Sequence, residues 1–113
     1  MEIHNKIIIA ADFTTTPGAR YKKDGEFSGQ EFLEKILLPK FEEVVKSNSL
    51  LLIDLDKVWG YPSSFVSGSF GKLSQMKGAD LVLKHVKFKS DDNSTRLEKI
   101  IAEIKNPIKN EME

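Results

Sequence analysis

The run Leu50-Leu51-Leu52-Ile53-Asp54-Leu55 constrains the fold more than any other stretch of this chain. It follows the turn-forming Ser47-Asn48-Ser49 and is aliphatic at every position except Asp54. A strand with one wet face alternates apolar and polar residues. A nearly unbroken apolar strand is instead expected in a parallel sheet, covered by helices on both faces. The run therefore predicts an α/β domain whose flanking segments supply further strands and the covering helices.

Those segments can be found on both sides. From Ile3 to Phe13, Ile3, Ile7, Ile9, Ala11 and Phe13 fall at odd positions and His4, Lys6 and Asp12 at even ones, the spacing of a strand with one better-buried face. The stretch from Thr14 to Phe27 is rich in turn formers and reads as a long loop or a loose hairpin turning at Asp24-Gly25. Ser28-Gly29-Gln30-Glu31 has the form of a capping box, so a helix is expected to start there, carrying Phe32, Ile36, Phe41 and Val44 or Val45 inward. Pro39 lacks a donor and crowds the carbonyl of Lys35, which predicts a kink or a break into two helices. After Trp59-Gly60-Tyr61-Pro62, a helix opened by Ser63 or Ser64 is expected to bury Phe65, Val66, Phe70 and Leu73. A third strand is expected over Asp80–Val86. A last helix is expected with Leu97, Ile100, Ile101 and Ile104 on one stripe and Pro107 as its stop. The expectation is a single domain over residues 1–107, with a small, largely parallel or mixed sheet and flanking helices, followed by a polar tail over 108–113.

Composition narrows the chemistry. The chain of 113 residues has no cysteine, which excludes a disulfide framework, a thiolate zinc site and a cysteine nucleophile. Its 17 basic residues balance 17 acidic ones, so a nucleic-acid partner is not expected. No apolar run is long enough to span a bilayer and no signal-peptide layout opens the chain, so a cytoplasmic location without membrane contact is expected. Gly68-Ser69-Phe70-Gly71-Lys72-Leu73 fails as a phosphate loop, because the first glycine and the Mg-binding hydroxyl are missing. His4 and His85 lie far apart outside any ligand motif, so no metal and no cofactor are expected. Asp54 and Asp56 sit on one face at a strand end, where such residues usually cap a turn and would otherwise serve acid–base chemistry or a metal.

One constellation remains: strand, turn, Ser63-Ser64, helix. Capping of free amides explains a serine at this place. The same geometry also exposes a hydroxyl where an added phosphate would meet amide donors and the positive end of the helix dipole.

These residues resemble the central motif of STAS domains, the bacterial anti-sigma-factor antagonists. In that family a buried strand ends in an acidic turn, as at Leu51–Val58 here, and a serine pair opens the next helix. The pattern Gly18-x-Arg20, Ser28-Gly29-x-x-Phe32 with Leu37 or Leu38 and Pro39, Asp54, Ser64-Phe65 and Phe70-Gly71 is more similar to a STAS-like domain family of unknown function, over about residues 7–105. Pro62 stands where the antagonists usually carry aspartate, and Phe65 where they carry glycine.

The resemblance implies regulation through protein contacts and no enzyme activity. Ser64 would be a phosphorylation switch, with Ser63, Phe65 and Tyr61 as cap or partner contacts and Arg20, Lys22 and Lys23 as contacts to an anion or an acidic partner. The implied partner is a histidine-kinase-like ATPase or an anti-sigma factor. The competing expectation is a small-ligand or nucleotide sensor that uses the Ser64 helix start together with the basic loop.

Overall fold

In the computed structural model, which describes residues 1–108, the apolar run forms strand β2 (Leu50–Asp54). It lies between β1 (Ile3–Ile8) and β3 (Val86–Lys89), and both neighbours run parallel to it. The sheet among the described residues is thus wholly parallel. Ile7, Ile53 and Phe88 stand side by side in register, as do Asn5, Leu51 and Val86. This face is the buried one: Ile7, Leu51 and Ile53 are fully inaccessible.

The other face carries Lys6, Leu52 and Lys87 in one row and Ile8, Asp54 and Lys89 in the next. Lys6 and Lys87 are exposed and Leu52 is half-buried, so the expected cover on both faces is corrected to cover on one. The flanking lysine stems can shield Leu52 while their charges stay in water, which lets an apolar residue stand on an open face.

Strand β1 stops five residues short of the expected Phe13. The Asp12 carboxylate accepts the Ile8 amide at 2.7 Å, and the chain makes one helical turn, α1 (Ile9–Asp12). Helix α2 spans 29–46. Ser28 Oγ accepts the Glu31 amide at 3.0 Å, one half of the capping box, while the Glu31 carboxylate faces Lys35. The disturbance expected from Pro39 takes the form of a π turn at Leu33–Leu37, after which the α-helix resumes over Leu38–Lys46. A wider turn just ahead of the ring accommodates the missing donor without a break.

Helix α3 spans 63–77 and has its own π turn at Ser67–Gly71. It ends at Gly78, whose φ of 91° is open to glycine at no steric cost. The strand expected over Asp80–Val86 is instead helix α4 (Ala79–His85), and β3 begins only at Val86. Buried Val82, His85 and Val86 recur at helical spacing, a periodicity that the adjacent Leu81 and Leu83 conceal in the sequence. Helix α5 (Ser94–Lys105) starts from Asn93, whose side chain accepts the amides of Thr95 at 3.0 Å and Arg96 at 3.3 Å. It buries Ile100 and Ile104 completely and ends before Pro107. Of the expected tail, Ile108 is tied down by its amide to Glu103 at 2.9 Å, and residues 109–113 lie outside the described residues.

Phe32, Phe65 and Phe70 are fully buried where α2 crosses α3, with the Phe32 and Phe65 ring centres 5.7 Å apart. The crossing is close because Gly29 has no side chain: a Cβ there would lie 2.5 Å from the Phe65 carbonyl oxygen.

Candidate functional site

Parallel strands bring their C-terminal ends to one rim, where ligands of open α/β sheets usually bind. Here the loops 13–28, 55–62 and 90–93 meet at that rim. The two aspartates at the end of β2 hold it together. Asp54 accepts the Asp56 amide at 2.9 Å, and Asp56 accepts Lys89 Nζ at 2.6 Å and the amides of Asp91 and Asp92 at 2.8 and 3.1 Å. The Lys89 ammonium is the main reason the Asp56 carboxyl is held far below the usual carboxylate range, against the opposing effect of burial. Asp56 in turn raises Lys89. A carboxylate locked in its charged form by three donors does not cycle protons near neutrality, so Asp56 acts as a splice between two loops. His85 is likewise a packing residue, its Nδ1 lying 2.8 Å from the Ser49 carbonyl oxygen.

From this splice the chain climbs to Trp59, which is 87% exposed. The ring is free but its loop is not. Lys57, in the left-handed region at φ 65°, donates its amide to Asp92 at 2.9 Å, and the Trp59 amide donates to the Thr15 carbonyl at 2.9 Å. Tyr61 Oη and Arg96 Nη1 both donate to the Leu55 carbonyl, at 2.9 and 3.0 Å, and the guanidinium stacks 5.2 Å from the Tyr61 ring centre. Burial is the chief reason the Tyr61 hydroxyl is pushed well above its ordinary range. Tyr61 therefore serves as a brace with one edge at the surface, lining shallow depressions beside Trp59.

Helix α3 starts next to this loop. Pro62, at φ −57° and ψ 144°, occupies the cap position and offers no side-chain acceptor, so Ser63 is the first helical residue and not the expected cap. Ser63 is exposed and Ser64 half-buried. Phe65 is fully buried against Phe32, Phe13 and Tyr61, which corrects its expected role as a partner contact: it anchors the helix start from inside.

Arg20, Lys22 and Lys23 come together at a different place. The carbonyls of Ala19 and Arg20 accept the amides of Gly29 and Gln30 at 2.8 and 2.9 Å, so the basic loop closes over the start of α2. Arg20 also lies against Gly68, one turn after Ser64, where a Cβ would come within 2.7 Å of the Arg20 carbonyl oxygen. The three cations line a groove of about 790 Å³ between α2 and α3, floored by Leu33, Leu38 and Met76. Lys22 pairs with Glu34 across it, and that contact, followed by the Gln30 amide, lowers the Glu34 carboxyl. Both π turns border the groove, through Leu33 and Gly68. Such turns are frequent at functional sites.

The sequence reading missed Trp59, although a lone tryptophan among Gly, Tyr and Pro in a turn is a visible signal of an exposed anchor. It also missed Lys72 and Met76 as groove residues, which the four-residue spacing from Gly68 places on one helical face. Among the described residues, no group of His, Asp and Glu is placed to hold a metal ion, and no helix is long and apolar enough to cross a membrane.

Compared with known families, residues 28–96 match the STAS-like domain of unknown function. The matched stretch runs from the capping serine of α2 to the arginine that braces Tyr61. No curated protein and no solved structure matches the chain.

Proposed function

Since the chain belongs to the STAS-like domain family of unknown function, we propose that it is a regulatory, non-catalytic protein-interaction module, docking its partner at the C-terminal rim through Trp59 and the first turn of α3. The observation that carries this reading is a tryptophan 87% exposed on a loop tied at Lys57, Trp59 and Tyr61. Large aromatic rings dominate interface energetics, and one on a rigid loop loses little further freedom on binding.

Ser64 is the switch of this surface. The helix start has no side-chain cap, so a phosphate on Ser64 has amide donors and the helix dipole to meet, and it adds nearly two negative charges beside Trp59 and Tyr61. The partner is a histidine-kinase-like ATPase that also acts as the kinase, and modification of Ser64 releases it.

Calorimetry with such an ATPase tests the docking, and mass spectrometry after incubation with the ATPase and ATP tests the switch. Trp59→Ala and Ser64→Asp are each expected to weaken binding at least about tenfold, equivalent to about 1.4 kcal/mol. Phosphate found only on other residues, together with unchanged binding by both variants, refutes the proposal.

A further inference from the structure

The groove between α2 and α3 lies apart from the docking rim and has its own chemistry. Its floor is aliphatic: Leu33 is almost completely buried, and Met76, 48% exposed, has a flexible side chain suited to irregular apolar shapes. Its rim carries Arg20, Lys22, Lys23 and Lys72, and among the described residues Glu34, engaged by Lys22, is the carboxylate that borders it. The Arg20 Nε is buried and, among the described residues, has no hydrogen-bond partner. An unmatched guanidinium N–H is costly in a wall that also holds apolar side chains, and an anion is the acceptor it lacks. The volume of about 790 Å³ is that of a small-molecule site.

The kind of anion follows from the remaining features. Among the described residues Tyr21 is the aromatic side chain bordering the groove, and Lys23 lies over one face of its ring at 5.5 Å, so a nucleobase would have to compete with that cation for the face. Inorganic phosphate would leave the aliphatic floor wet. We propose that this groove binds a small amphiphilic anion, its acid group on Arg20 and the neighbouring lysines and its apolar tail along Leu33, Leu38 and Met76.

Calorimetry on the whole chain, with probes below their micellar concentrations, tests this. Decanoate and naphthoate separate an alkyl from an aromatic tail, decanol removes the charge, and inorganic phosphate removes the tail. Decanoate is expected to bind, with decanol and phosphate at least about tenfold weaker. Arg20→Gln keeps the Cγ that packs on Gly68 and is expected to weaken decanoate about tenfold, the loss of one charge-assisted hydrogen bond. Met76→Glu, at an exposed floor position, is expected to weaken it similarly. Thermal melts of both variants confirm that they fold. Equal binding of decanoate and decanol, equal binding of decanoate and phosphate, unchanged affinity in both folded variants, or no binding of either carboxylate overturns the proposal.

Discussion

Gly29→Ala sets two effects of opposite sign against each other. Alanine is the better helix former by up to about 1 kcal/mol and restricts the unfolded chain, so the substitution stabilises many helices. Here the new Cβ would lie 2.5 Å from the Phe65 carbonyl oxygen, 2.9 Å from the Gly68 carbonyl carbon and 3.0 Å from the Ser69 nitrogen. All three are backbone atoms, so no side chain can rotate away. Ordinary contact begins at 3.4 Å, and α3 must therefore retreat by about 0.9 Å from a core in which Phe32, Phe65 and Phe70 interlock. Overpacking of this kind costs about 1–3 kcal/mol. The helix-forming gain is small at the first residue of a helix, so overpacking wins and the net loss is about 1–2 kcal/mol. Urea denaturation reads this directly. In thermal melts it corresponds to a fall of about 4–8 °C per kcal/mol for a domain of this size. Gly60→Ala is the control: a Cβ there meets nothing within 4 Å, so the parent stability or a small gain is expected. If Gly29→Ala melts at or above the parent, α2 and α3 do not cross in backbone contact and the account of the crossing is wrong.

Phe65→Ala removes a fully buried ring and is expected to cost about 3–5 kcal/mol in urea melts; a loss below about 1 kcal/mol would show that the ring is not a core residue. Because the folded state lowers the Asp56 carboxyl below the unfolded value of about 3.9, its stabilisation is complete above that pH and fades as pH falls through the folded value. Asp56→Asn should therefore destabilise the protein near neutrality, with the difference shrinking in acid. A constant difference in urea midpoint across the acid range would contradict the splice. Trp59 is the sole tryptophan, so the free protein is expected to show red-shifted emission readily quenched by iodide. Trp59→Ala should leave the unfolding free energy within about 0.5 kcal/mol of the parent, as surface changes do; blue emission from the native protein would mean the ring is packed away.

The sheet's centre, the start of α2 and the stripe of α5 were legible because each rests on a local signal: an unbroken apolar run, a serine three residues before a glutamate, and Leu97, Ile100 and Ile104 at helical spacing. Residues 80–85, expected as strand, are helical; a short apolar run fits a buried strand and a buried helix equally. Gly78 was the overlooked clue that one helix ended and another began. The response to Pro39 was legible as a disturbance but not as a π turn, since a missing donor can equally be met by a kink or a break. At the candidate site the sequence marked Ser64 and the basic loop, yet not their separation. Arg20 leaves the Ser64 helix start and lines a groove with Leu33 and Met76 only because Gly29 and Gly68 bring distant segments into contact.

The parallel sheet divides the chain's freedom unevenly between its two rims. At one, the chain returns into its strands almost without slack, through Ser47–Ser49 into β2 and directly from His85 into Val86, and an inserted residue there would push a strand out of register. At the other, the chain spends its long excursions and presents Trp59, Ser64 and the arms that lead to the basic loop. Changes of loop length and sequence at that rim therefore leave the strand register intact, while the opposite rim fixes the way the chain closes.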